Sequence, residues 1–261
     1  MILKGILIGV GKIIPGISGA VIAISLGVYE KVIHILSNIK SITREDFIYL
    51  LKLLIGMAIS ILVFSNIIIY LININRMVTM YFFIGLIIPS IYEIRCDIKK
   101  EHKKYIIISF ILSILLCSFF INIKLNTDSD LIFVFIGIIE SITMIIPGIS
   151  GTAIFTTLNL YDKYINFIAS LTLLNFNISQ IVCFMLGLII GAIPTVKFLD
   201  YMFLNNKSKM YSIIYGFTLS SLVLMACSAV NNIELINILL SFNFFCIGLK
   251  TSKKVNRLTV N

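Results

Sequence analysis

This sequence predicts an all-α, polytopic helical membrane fold made of two inverted-topology repeats, and three observations predict it. Of its 261 residues 59% are hydrophobic and only 13% charged, with a mean hydropathy of +1.06. Soluble domains carry about 25% charged residues. The apolar residues fall in helix-length runs with no alternating ten-residue pattern, which favours helices over a barrel. The pentapeptide P-G-I-S-G occurs twice, at residues 15–19 and 147–151, and each copy interrupts an apolar segment. A helix does not run unbroken through Pro-Gly followed by a second Gly.

In chain order, residues 2–14 and 17–28 flank the first pentapeptide. A span needs about 20 residues, and neither arm is that long. They read as a re-entrant hairpin, entering and leaving on one face. Runs 47–73, 77–94 and 105–123 follow as three spans. Residues 131–146 and 149–160 form the second hairpin, and 178–196, 210–230 and 233–249 the second three spans. The chain is thus one membrane domain, 1–261, with repeat one at 1–126 and repeat two at 127–261. The duplication is visible outside the motif. Gly5 and Pro15 recur as Gly137 and Pro147 at an offset of 132, and Gly56, Asn75 and Gly85 as Gly187, Asn206 and Gly216 at 131. An odd number of spans per repeat inverts the second half about an in-plane pseudo-two-fold axis. The hairpin tips then approach from opposite faces and meet near the midplane.

Charge tests the layout. The loops 29–46, 95–104 and 204–209 and the tail 250–261 share one face in this topology and carry fourteen Lys and Arg, against Arg76, Lys124 and Lys163 on the other. The positive-inside rule therefore predicts cytoplasmic N- and C-termini. Spanning hairpins would give the same sides, so it is arm length that argues for re-entry. A net charge of +9 would suggest nucleic acid in a soluble chain, but here topology accounts for it. The five cysteines show no C-x-x-C spacing and read as small apolar side chains. The N-terminus, with Lys4 alone and no small-residue cleavage site, reads as retained.

In each pentapeptide the second arm begins a helix whose first N–H groups lack helical partners and sit at the positive end of the dipole. Such an end suits an anion. Ser18 and Ser150 add hydroxyls, while Gly16, Gly19, Gly148 and Gly151 let backbone approach a ligand closely. Two opposed tips, opened by Pro15 and Pro147, would hold a phosphate or carboxylate. Broken helices in matching places of two halves point to such a transport site. The blander reading is that the glycines only pack helices.

Lys12 stands three residues before Pro15 in an arm otherwise short of charge. A Lys at mid-membrane costs about 2.5–3.5 kcal/mol on insertion scales, so it needs a bound phosphate, Glu140 of the other half, or an interface to snorkel to. Its repeat-mate is Met144. Glu140, about two turns before Pro147, reads either as a proton or cation coupling site or as counter-charge to Lys12. Asp200, three residues after Lys197, reads as that residue's surface partner. Glu30 and Asp162 read as helix-end charges at the hairpin exits.

G-I-S-G also fits the G-x-S-G nucleophile pattern of intramembrane serine proteases, which needs a base. The only histidines, His34 and His102, fall in expected loops, so a hydrolase is the weaker alternative. No H-E-x-x-H, paired Asp cluster or Walker loop occurs, and the sequence implies no cofactor or metal. A secondary transporter of a small soluble anion would use the same tips and stays open.

Residues 5–31, G-I-L-I-G-V-G-K-I-I-P-G-I-S-G-A-V-I-A-I-S-L-G-V-Y-E-K, closely resemble the first signature of the undecaprenyl-phosphate translocase family, the PopT type. Residues 145–163 resemble its second signature, and G-L-I-I-P-S at 85–90 also looks like that family. The resemblance implies return of the lipid carrier undecaprenyl phosphate from the outer to the inner leaflet, among membrane lipids and with no nucleic acid. Carried over singly, it places head-group binding at Pro15, Gly16, Ser18 and Gly19 and at Pro147, Gly148, Ser150 and Gly151. Three departures stand out: Ala20-Val21 where the family has Gly-Thr, Asn159 where it has Gly before x-Tyr, and Lys12 itself.

Overall fold

The computed structural model describes residues 1–13, 18–119, 129–149, 151, 154–155, 158–172, 177–230 and 234–260. Its described residues are helical and contain no strand. The helices are α1 (Ile2–Ile13), α2 (Gly19–Ser25), α3 (Tyr29–Ser37), α4 (Arg44–Ile74), α5 (Arg76–Cys96), α6 (Lys104–Phe119), α7 (Ile132–Ile145), α8 (Tyr161–Thr172), α9 (Ile178–Ala229) and α10 (Leu235–Val260). Among these, α4, α5, α9 and the Leu235–Ser252 part of α10 are long and apolar enough to cross a membrane. The helix pair α2 and α3 is bent by 111°. Leu54 and Leu62 on α4, Leu186 and Ile190 on α9, and Leu239 and Phe242 on α10 are exposed, as suits side chains that face hydrocarbon.

Local chemistry sets the helix ends. Thr43 opens α4 with a capping box: Asp46 N–H donates to its Oγ1 at 3.2 Å, and its own N–H donates to the Asp46 carboxylate at 3.4 Å. Asn75 is the sole residue between α4 and α5, with φ −155°, and its Oδ1 accepts from Val78 N–H at 3.1 Å. Asn206, one repeat later, is the non-helical residue inside α9, with φ −141° and ψ 47°. At 1.5 Å per residue a straight α9 would be about 78 Å long, more than twice the ~30 Å hydrocarbon core. The break at Asn206 divides it into two span-length pieces, 178–205 and 207–229. The loop expected at 204–209 is thus reduced to one residue, and the tail expected from 250 continues as α10 to Val260.

The segments after each pentapeptide also differ from expectation, and in the same way. Residues 29–37 and 161–172, expected outside the membrane runs, are helices α3 and α8. Helix α2 ends in a Schellman motif: Val28 N–H bonds Ala23 O at 3.0 Å and Gly27 N–H bonds Ile24 O at 2.8 Å, with Gly27 at φ +66°. In the second copy Leu160 N–H bonds Phe155 O at 2.9 Å, and Asn159 takes φ +55°. Asn tolerates the left-handed region best among residues with a side chain. The Gly-to-Asn departure therefore keeps the turn.

Helix packing carries the duplication into three dimensions. A Cβ on Gly5 would lie 2.3 Å from the Leu53 carbonyl oxygen and 3.1 Å from Gly56 Cα. A Cβ on Gly137 would lie 2.3 Å from the Phe184 carbonyl oxygen and 3.0 Å from Gly187 Cα. So α1 meets α4, and α7 meets the first piece of α9, at glycine pairs that let backbones touch. One turn further on, Gly9 faces Ser60 and Ser141 faces Gly191, the same pair with its members exchanged. Two further contacts are reciprocal between halves. Helix α5 packs on α10, with Gly85 against Phe245, and the second piece of α9 packs on α6, with Gly216 against Ser109. Two cores are built from repeat-mates: Ala23, Leu26, Val28 and Leu53 in one, Phe155, Leu158, Leu160 and Phe184 in the other.

Candidate functional site

Lys12 is in the last turn of α1 and Glu140 in the second half of α7, and their side chains meet at 3.5 Å between Nζ and Oε1. The Lys12 side chain is 37% exposed and that of Glu140 15%. Each of the two residues lies beside the last glycine of the pentapeptide of its own half. A Cβ on Gly19 would sit 3.7 Å from Lys12 Cβ and 3.1 Å from the Ile8 carbonyl oxygen. A Cβ on Gly151 would sit 3.5 Å from Glu140 Oε2 and 2.6 Å from Thr143 Oγ1. Lys12, Glu140, Gly19 and Gly151 thus lie together.

Ser18 is at the N-cap position of α2 in extended conformation, φ −94° and ψ 121°, and is 9% exposed. Its hydroxyl makes no capping bond. Pro15, Gly16 and Ser150 lie outside the described residues. Pro147 is fully buried. Ahead of it Ile146 is extended, with ψ 120°, as the residue before a proline prefers, and this ends α7. Gly148 has φ +84°, and a Cβ there would lie 2.6 Å from Thr218 N. Backbone conformation and close approach each require glycine at that position.

Other residues around the junction carry roles that the sequence reading did not assign. The Tyr29 hydroxyl donates to the Ile145 carbonyl at 2.7 Å, satisfying an oxygen that the end of α7 leaves without a helical partner. This bond ties the exit of the first motif to the entrance of the second. Tyr164 of α8 lies beside Glu140. Lys4 Nζ donates to the Leu26 carbonyl at 2.8 Å, placing a cation at the C-terminus of α2. Tyr29-Glu30-Lys31 recurs in the sequence as Tyr161-Asp162-Lys163, but a tyrosine's reach across the two halves leaves no such pattern.

Asp200 corrects an expectation. It is 8% exposed and bonds His34 Nδ1 at 3.0 Å, while the Lys197 side chain is exposed. Helical spacing had favoured the i, i+3 neighbour. The helix α3, unseen in the sequence, supplies the actual partner. Among the described residues no group of three or more His, Cys, Asp or Glu could hold a metal ion.

What the arrangement offers chemically is a cation and its counter-charge beside two glycine-rich chain breaks. Compared with known families, residues 8–235 match the one described as undecaprenyl phosphate translocase-like. The chain belongs to that family. Two relatives of this chain are each named polyprenyl-phosphate transporter. The protein from Staphylococcus aureus is 28% identical over 273 residues, covering 99% of this chain and 96% of the relative. The protein from Vibrio cholerae is 23% identical over 237 residues, covering 84% of this chain and 75% of the relative. No solved structure matches. Family membership and the apolar helices together make the chain a multi-pass membrane protein.

Proposed function

We propose that this protein moves undecaprenyl phosphate from the outer to the inner leaflet of the plasma membrane, returning the lipid carrier for reuse in cell-wall synthesis. The observation that carries the reading is the convergence of both pentapeptide halves on the Lys12–Glu140 pair, in a chain whose relatives are named polyprenyl-phosphate transporters. A phosphate head group is what hydrocarbon solvates worst, and a cation beside a glycine-rich break is suited to shelter it. The head group would lie between Lys12, Ser18 and the backbone of the two motifs at Pro15, Gly16, Gly19, Pro147, Gly148, Ser150 and Gly151. The prenyl tail stays in lipid.

Glu140 supplies the coupling. Its carboxylate holds the Lys12 ammonium that the head group also needs, so a proton or cation taken up there and a head group at Lys12 favour one another. The reciprocal packing of α5 on α10 and of α9 on α6 supports two repeats related by a pseudo-two-fold axis. In the inverted topology each pentapeptide belongs to a re-entrant hairpin, one from each face, with both termini in the cytoplasm. Rocking of the repeats then exposes the head group alternately.

The test is made in cells stripped of other recycling routes. Depleting the protein should raise outward-facing undecaprenyl phosphate, read with a head-group-specific binder; unchanged surface label would contradict the function. Replacing Ser18 and Ser150 with Ala should slow translocation without abolishing it, because the backbone donors remain. Complete loss would instead favour a serine hydrolase.

A further inference from the structure

Two pairs of opposite charges occupy matching places in the two repeats, and one of the two is closed. Glu30 is in the first turn of α3; its carboxylate accepts from Lys207 Nζ at 2.9 Å and from the Tyr211 hydroxyl. Lys207 directly follows the break at Asn206. The repeat offsets of 132 and 131 relate Glu30 to Asp162 and Arg76 to Lys207. Asp162 is in the first turn of α8, and Arg76 directly follows Asn75. An acid opening a short helix and a base after an Asn break thus recur in both halves.

Their states differ. Asp162 and Arg76 are both exposed, and among the described residues neither takes part in an ion pair. The packing has the same asymmetry among the described residues: α3 lies against α9, whereas α8 makes no comparable contact with α4 or α5. The bond from His34 to Asp200 reinforces the closed side, and the repeat-mates Asn166 and Ile69 carry no charge to reproduce it. By the charge count, Lys207 belongs to the cytoplasmic face and Arg76 to the opposite one.

We propose that Glu30–Lys207 and Asp162–Arg76 form a latch that closes alternately at the two membrane faces. The inference rests on the transport reading above. In an inverted-repeat transporter the second end state arises when each repeat adopts the arrangement of the other. What α3 does at the Asn206 break in this state, α8 does at the Asn75 break in the other. The closed pair is half exposed, with side-chain exposures of 53% and 38%. Such pairs are weak enough to open at every cycle. A latch of this kind sets which face is shut without touching the head group.

The experiment uses the full chain in proteoliposomes, with Cys96, Cys117, Cys183, Cys227 and Cys246 replaced by Ser. Disulfide cross-linking of the pair Asp162→Cys with Arg76→Cys reads the open latch. Adding Lys207→Glu, which repels Glu30, should raise that cross-linking at least threefold; an unchanged yield overturns the proposal. A second arm reads transport of undecaprenyl phosphate. Asp162→Arg and Arg76→Asp alone should each slow it about tenfold, and the two together should restore most of the rate. Single variants at the wild-type rate overturn the latch. Cross-linking needs no substrate, so a normal shift in a chain that moves no undecaprenyl phosphate supports the latch and counts against the function alone.

Discussion

Lys12 and Glu140 form an ion pair that the sequence offset of 132 does not repeat, since the matching positions hold Met144 and Ile8. Removing the carboxylate alone leaves an ammonium without its partner, at an insertion cost of about 2.5–3.5 kcal/mol if it lies at mid-membrane. Glu140→Gln should therefore lower the thermal midpoint in detergent, and Lys12→Met with Glu140→Gln should recover most of the loss. Transport separates pairing from function. The exchange Lys12→Glu with Glu140→Lys should restore folding but not transport, if the cation has to sit on α1 beside the first pentapeptide. The left-handed turns give a second prediction. Gly27 at φ +66° has open space where a Cβ would stand, so Gly27→Asn should be nearly neutral. Asn159→Val should cost about 1–2 kcal/mol, because a β-branched residue is strained in that region. Thermal unfolding of both variants checks this. Tyr29→Phe, which leaves the Ile145 carbonyl without its donor, should cost about 1 kcal/mol in the same assay.

At the level of elements, glycine contacts decide which helices can touch. Gly56→Leu would drive a side chain into the Ile2 carbonyl oxygen, only 2.2 Å from the Cβ position, and separate α1 from α4. The variant should lose at least 3 kcal/mol or fail to accumulate as a folded chain, as judged by size-exclusion elution and thermal unfolding. Much of this architecture was legible beforehand, because a span needs a long apolar run and the repeat offsets locate Gly5, Gly56, Gly137 and Gly187. The helices α3 and α8 were not legible. They are short, carry charge at their first turns and follow a chain break, so composition alone assigns them to loops. The tail through Val260 was missed for a related reason: Lys253, Lys254 and Arg257 end the apolar pattern while the backbone stays helical.

For the whole molecule, the two halves hold one another through reciprocal contacts, α5 with α10 and α9 with α6. Neither half closes its own packing, and relative movement of the halves is the motion the proposed cycle needs. The meeting of Lys12 and Glu140 was among the readings open from sequence; the partners of Tyr29 and Asp200 were not, because distance in three dimensions leaves no local pattern. The most direct test of the central claim is the rate at which purified protein in proteoliposomes moves undecaprenyl phosphate between leaflets, compared with its Lys12→Met variant. If the head group crosses at the junction of the two motifs, the wild-type chain accelerates movement and the variant loses at least tenfold. A folded Lys12→Met protein that translocates at the wild-type rate would contradict it.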